Sequence, residues 1–229
     1  MTTITLNLQA IRTRIERAAS ACARHASEIS LLAVSKAVSA PHIEEAHRAG
    51  QAAFGESYVQ DAVRKITQLA PLDIEWHFIG PIQSNKTRLI AEHFQWVHSI
   101  DRAKTAVRLD EGRPAHLPPL DVCIQVNISG ELSKSGVAPG EELQLARVIE
   151  DLPHLRLRGL MAIPEPTLDT ALQRSRYALL RKLKDNLNAE GYQLDTLSMG
   201  MSDDLESAIA EGATIVRVGT AVFGSRETL

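Results

Sequence analysis

Lys36 closes the apolar run Leu31-Leu32-Ala33-Val34-Ser35-Lys36. Lysine is seldom buried without a partner. At the end of an apolar strand it loses hydration, which lowers the ammonium pKa and frees the amine as a nucleophile. Such an amine condenses with aldehydes and ketones to imines. The plainer alternative is a buried ion pair with Glu56 or another acid at the same rim. A second group of residues suits an anion. Ser198-Met199-Gly200-Met201-Ser202 precedes a helix expected to begin near Asp203. Gly200 would let backbone approach an anion, and Ser202 would serve as N-cap and ligand. Gly219 and Thr220 add backbone N–H groups and a hydroxyl. Turn chemistry with a helix cap is the simpler reading of both segments. A nucleophilic lysine facing a phosphate cradle suits a phosphorylated carbonyl compound, a class that holds pyridoxal 5′-phosphate (PLP) and sugar phosphates. Arg217 bears on that choice. It stays charged at all relevant pH. Facing a pyridine nitrogen, it would donate a hydrogen bond and keep the nitrogen unprotonated, weakening the ring as an electron sink. Its alternative partner is a phosphate or carboxylate.

The elements that must position these residues follow from hydrophobic periodicity. Ile4, Leu8, Ile11, Ile15, Ala18 and Cys22 recur at helical spacing and predict an N-terminal helix. Eight short apolar runs follow, at 31–34, 52–54, 74–79, 96–100, 122–128, 155–160, 194–198 and 214–218. Several are nearly continuous in apolar residues, as parallel strands buried on both faces are. Helical stripes lie between them: Val59, Val63, Ile66 and Leu69; Leu145, Val148, Ile149 and Leu152; Leu172, Leu179, Leu183 and Leu187. Pro41 and Gly50 punctuate a helix, and Asp101 is placed to cap another. This pattern predicts an α/β fold: a single (β/α)8 TIM-type barrel over residues 1–229 with an extra N-terminal helix. A doubly wound sheet would usually carry a Gly-rich first turn, and Ser35-Lys36-Ala37-Val38 is not one. In a barrel the chemistry gathers at the carboxyl ends of the strands. Alternation along Leu32, Val34 and Lys36 aims the lysine inward. Ser57, His77, Ser99, Gln125 and Asn127 fall at or near other strand ends. His77 either contacts a ligand or hydrogen-bonds within the barrel.

Composition narrows the classes. A net charge of −3 gives no basic footprint for nucleic acid. No apolar run reaches membrane-span length, and the N-terminus lacks a signal-peptide pattern. Cys22 and Cys123 fit reduced thiols and a cytoplasmic location. The scattered histidines give no metal spacing. Lys134, Lys86, Cys123 and Asp203-Asp204 are weaker candidates, read as solvated, solvated, buried apolar and dipole-compensating.

The motifs Leu31–Lys36, Phe54-Gly55-Glu56-Ser57-Tyr58-Val59-Gln60, His77-Phe78-Ile79-Gly80-Pro81-Ile82-Gln83-Ser84-Asn85-Lys86, Gly159-Leu160-Met161, Ser198–Asp204 and Arg217-Val218-Gly219-Thr220 together resemble the PLP homeostasis protein family. The resemblance spans nearly the whole chain. It implies a barrel similar to the N-terminal domain of alanine racemase, with PLP as a Schiff base on Lys36. It implies phosphate held around Ser202, Gly219 and Thr220, and Arg217 facing the ring nitrogen. Ser57, His77 and Met199 complete the expected cofactor-binding set. The family is regarded as storing, buffering or delivering PLP (vitamin B6 in its active form), and it lacks the racemase's second domain with its tyrosine base. The chain, ending at Leu229, is expected to lack that domain too. PLP, amino acids and PLP-accepting apo-enzymes are the expected partners of a monomer. A weak amino-acid racemase and a lysine aldolase acting on a sugar phosphate are the alternative functions. Two departures stand out. Ser57 replaces the family's usual Asn, and Ala37-Val38-Ser39 replaces a common Thr-Lys-Pro, which removes one positive charge near the rim.

Overall fold

The computed structural model describes residues 2–131 and 135–224. Lys134 lies outside the described residues. The chain opens on α1 (Thr3–Ala21), capped by the Thr2 hydroxyl, with Ile4, Leu8, Ile11, Ile15 and Ala18 buried. Strands and helices then alternate: β1 (Ser30–Val34), α2 (Ala40–Arg48), β2 (Ala53–Glu56), α3 (Val59–Gln68), β3 (Glu75–Phe78), α4 (Thr87–His93), β4 (Trp96–Ile100), α5 (Ala103–Gly112), β5 (Leu120–Gln125), α6 (Glu142–Glu150), β6 (Leu155–Met161), α7 (Thr170–Ala189), β7 (Thr196–Ser198), α8 (Leu205–Ala210), β8 (Ile215–Val218) and α9 (Thr220–Phe223). The eight strands close in sequence order into a barrel. All pairings are parallel, and β8 returns to β1 with Arg217 opposite Leu32. The predicted (β/α)8 barrel with an added N-terminal helix is the observed fold.

Most of the apolar core lies between the strands and the surrounding helices. Trp96, Cys123 and Met161 form a small separate cluster. Several helix faces differ from the apolar stripes. In α3 the buried residues are Val59, Ala62 and Lys65, while Val63 and Ile66 are only partly buried. In α7 Leu172 is exposed, and Gln173 is buried instead, accepting a hydrogen bond from Ser207. Arg102, not Asp101, precedes the first residue of α5.

α1 does more than cover the barrel. Asn7 donates to the carbonyl of Val222 in α9. Arg14 donates to the Ser202 carbonyl and to Glu206 in α8. The extra helix therefore pins both chain segments that follow the last two strands.

Candidate functional site

A cavity of about 660 Å³ opens at the carboxyl ends of the strands. This is within the range of small-molecule sites, about 300–1,000 Å³. Lys36, Ser57, Ser202, Arg217, Gly219 and Thr220 line it, with Val34, Ile79, Ile163 and Phe223 among its apolar walls. Six of the eight expected site residues thus share one cavity.

Lys36 sits on the turn after β1, not on the strand itself. The turn is closed by Val38 N–H donating to the Ser35 carbonyl at 2.9 Å. Ala37 adopts φ +61°, in the left-handed region that costs an L-residue about 1–2 kcal/mol. Glu56 pairs with Lys65 at 2.9 Å. Ser35 Oγ donates to the same Glu56 oxygen at 2.6 Å. Burial raises the Glu56 carboxyl above its ordinary value, with Lys65 and the Ser35 hydroxyl opposing. The acid expected as a plain ion-pair partner for Lys36 thus has a different lysine.

Ser57 is held by backbone contact. A Cβ on Gly80 would fall 2.4 Å from the Ser57 carbonyl oxygen, so only glycine lets the two strand ends meet. The shorter serine side chain still reaches the cavity wall.

Arg217 is buried in that wall and donates three hydrogen bonds. Nη1 reaches the Ser198 carbonyl at 2.6 Å and Ser198 Oγ at 2.7 Å, and Nη2 reaches the Ala162 carbonyl at 2.8 Å. Among the described residues it forms no ion pair with a carboxylate. Burial lowers its pKa from the ordinary value, and Tyr177, Asp204 and Cys123 oppose that electrostatically.

Behind Arg217 a hydrogen-bonded chain crosses the barrel. His98 Nδ1 meets Ser198 Oγ at 2.7 Å, and His98 Nε2 meets His77 Nδ1 at 2.9 Å. His77 Nε2 then meets Glu75 Oε1 at 2.7 Å. Burial lowers the pKa of both histidines, His98 the more strongly, so both are neutral. The hydrogen bond from His77 holds the Glu75 carboxyl below its ordinary range. An ionised Glu75 can only accept, which fixes the order. His77 donates to Glu75, His98 donates to His77, and Ser198 donates to His98 while accepting from Arg217. His77 also stacks on Trp96, with ring centroids 5.4 Å apart. His77 therefore takes the second of its two expected roles: it hydrogen-bonds within the barrel and does not line the cavity.

The segment after β7 departs from expectation in three ways. Met199 is fully buried in the core and does not line the cavity. Gly200 does not line it either. Gly200 is required by φ +92° and by α8, since a Cβ there would lie 2.5 Å from the Ala208 Cβ. The helix starts at Leu205, so Asp204 and not Ser202 stands at the cap position. Asp204 accepts from Met201 N–H at 2.6 Å and from the buried Tyr177 hydroxyl at 2.7 Å. It is a structural acceptor that shapes the loop, and Ser202 is left on the turn facing the cavity. α8 and α9 are short, six and four residues, so neither adds a strong helix dipole at this end of the cavity.

Of the weaker candidates Asp203 lines the cavity, whereas Lys86, Cys123 and Asp204 do not. Cys123 is buried, and burial raises its thiol pKa far above the ordinary value. Gln125 and Asn127 donate to the carbonyls of Ser135 and Glu131 and hold the loop after β5. Among the described residues no group of His, Cys, Asp and Glu could hold a metal ion. No helix among them is long and apolar enough to cross a membrane. His98 and Lys65 were not singled out by sequence. Each lies in a pattern that reads as ordinary strand or ordinary helix surface.

Comparison with known proteins bears on this cavity. The family described as "Alanine racemase, N-terminal domain" matches residues 6–227. A pyridoxal phosphate homeostasis protein of Pseudomonas aeruginosa is 60% identical over 227 residues, covering 99% of this chain and 97% of that protein. One from Escherichia coli K12 is 52% identical over 230 residues, covering 99% and 98%. The solved structure of PipY from Synechococcus elongatus PCC7942, with PLP bound, is similar at a TM-score of 0.84 and 36% identity, covering 96% of this chain and 100% of that one. Alanine racemase from Corynebacterium glutamicum, at 18% identity and a TM-score of 0.73, shares the fold and covers 97% of this chain and 61% of that one.

Proposed function

We propose, because this chain belongs to the pyridoxal phosphate homeostasis protein family, that it binds PLP as a Schiff base on Lys36 and stores, buffers or delivers it. The observation that carries this reading is the shared cavity of Lys36, Ser202, Arg217, Gly219 and Thr220. PLP needs an amine for its aldehyde, donors for its phosphate and a group opposite its ring nitrogen. These five residues would meet those three needs. Condensation of the Lys36 amine with an aldehyde forms a carbon–nitrogen double bond and releases one water. Ser202, Gly219 and Thr220 would hold the phosphate, and Arg217 would face the nitrogen. When bound, PLP supplies an electrophilic carbon that exchanges among amines, which permits both capture and release.

Two features favour holding over turnover. Arg217 has a positive charge that stays on its guanidinium, so it would keep the ring nitrogen unprotonated and the ring a weak electron sink. Among the described residues that line the cavity there is no Tyr, His or Cys, and the one carboxylate is Asp203, on the turn whose neighbour Ser202 would hold the phosphate. The cavity is built within one chain, which suits a monomer, and the recipients would be PLP-dependent apo-enzymes in the cytoplasm.

Titration with PLP tests the reading. The wild type should develop the absorption band of an imine, and an added amino acid should discharge it by exchange. Lys36→Ala should show only the spectrum of free aldehyde. An equal imine band in Lys36→Ala would contradict the assignment.

A further inference from the structure

The α3 helix buries one charge that the cavity does not use. Lys65 is 6% exposed and Glu56 fully buried. The Lys65 ammonium has three donors, and three acceptors meet it: the Ser35 carbonyl at 2.9 Å, Glu56 Oε1 at 2.9 Å and Asp61 Oδ2 at 2.8 Å. Those acceptors belong to three different pieces of chain: the turn after β1, the end of β2 and the first turn of α3. The Ser35 carbonyl also accepts from Val38 N–H and so closes the turn that carries Lys36. Ser35 is further tied by its hydroxyl to Glu56 and by its N–H to the Gly55 carbonyl.

A buried ion pair is an expensive way to fill space, because desolvation offsets most of its attraction. Here the cost is raised further, since Glu56 Oε2 has no hydrogen-bond partner among the described residues. An apolar residue at position 65 would pack α3 more cheaply. What an apolar residue could not do is grip the Ser35 carbonyl. That grip matters because the next two residues are Lys36 and Ala37, and Ala37 sits at φ +61°, a conformation that costs an L-residue about 1–2 kcal/mol.

We propose that Lys65 is a positioning residue for Lys36: its buried ammonium, oriented by Glu56 and Asp61, clamps the Ser35 carbonyl and thereby aims the Lys36 amine into the cavity. This inference rests on the Schiff-base reading above. Preorganising an amine before it attacks raises the rate of attack without adding contacts to the ligand. Loss of the clamp should therefore slow imine formation and leave phosphate and ring contacts intact.

The test uses the full chain and two probes. Pyridoxine 5′-phosphate has an alcohol in place of the aldehyde, so it reports binding without an imine. PLP, followed by stopped-flow absorbance, reports imine formation. Lys65→Met should slow imine formation at least fivefold, with pyridoxine 5′-phosphate affinity within threefold of wild type. Lys65→Arg, which can still donate to Ser35, should recover most of the rate. A loss of less than fivefold in Lys65→Met overturns the proposal, and so does a parallel loss of affinity for both probes. If Lys65→Met does not fold, Glu56→Gln is read the same way, with at least a threefold slowing expected and any smaller slowing overturning the proposal. The underlying reading fails separately, if the wild type forms no imine or Lys36→Ala forms one.

Discussion

The histidine pair inside the barrel makes stability depend on pH in a way that can be computed. His77 and His98 are buried and neutral, and burial holds their folded pKa values below the ordinary one. The unfolded chain, with ordinary histidines near a pKa of about 6.5, binds protons more readily in mild acid. Stability must therefore rise with pH through that range and fall as the solution is acidified. Between pH 7 and pH 5, a histidine that stays neutral in the folded state costs up to about 2 kcal/mol. His98, held well below its ordinary pKa, should contribute nearly all of that. His77 contributes less, because Glu75 and Asp121 oppose its desolvation. Arg217, on the other side, disfavours a charge on His98. The expected loss is about 2–4 kcal/mol over two pH units. Glu56 works in the opposite sense, since a raised carboxyl pKa makes acid stabilising, but it is common to wild type and variant. Urea denaturation of wild type and His98→Gln at pH 7 and pH 5 measures the difference directly. His98→Gln should be less stable at pH 7, yet lose about 2 kcal/mol less than wild type on acidification. Equal losses in the two proteins would show that His98 is not held neutral and would refute the tautomer order of the chain.

Two further outcomes follow from the loop after β7. Tyr177→Phe removes a buried hydroxyl that donates to Asp204 and should cost about 1.5–3 kcal/mol, the range for a hydrogen bond to a charged group; denaturant titration checks it, and a cost below about 0.5 kcal/mol would mean the Asp204 acceptor is satisfied by water. Gly200→Ala forces a Cβ within 2.5 Å of Ala208 at φ +92° and should destabilise by about 2–4 kcal/mol from overpacking and backbone strain together; because it displaces the segment bearing Ser202, inorganic phosphate should also compete less well with PLP in equilibrium binding.

Much of the fold was legible because buried parallel strands have short, almost purely apolar sequences. Trp96–Ile100 reads as a strand with the observed limits, and Pro41 and Gly50 bracket α2 as expected. Lys36, Ser57 and Arg217 were legible for a different reason, since polar residues at strand ends are costly unless used, while Ser202, Gly219 and Thr220 read as turns suited to an anion. Position within the strand end was less clear. Lys36 leaves the strand for a turn, because the Ser35 N–H and carbonyl are committed to Gly55, Val38 and Lys65. Only the family resemblance puts Met199 in the cofactor-binding set, and the sequence leaves His77 two roles. Met199 packs in the core, and His77 lies where it can meet Glu75. His98 hides inside an apolar run, and its role appears only when Ser198, from a strand a hundred residues later, is brought beside it. Lys65 hides on a helix whose apolar residues suggest another inward face, because a count of hydrophobic residues cannot anticipate three acceptors converging on one ammonium.

The most direct test of the central claim is chemical trapping at the lysine. The protein is incubated with PLP, reduced with borohydride, digested and mapped by mass spectrometry. One stable pyridoxyl adduct per chain is expected, on Lys36, and none in Lys36→Ala. An adduct placed mainly on another lysine, or spread over surface lysines with Lys36 unmodified, would contradict it.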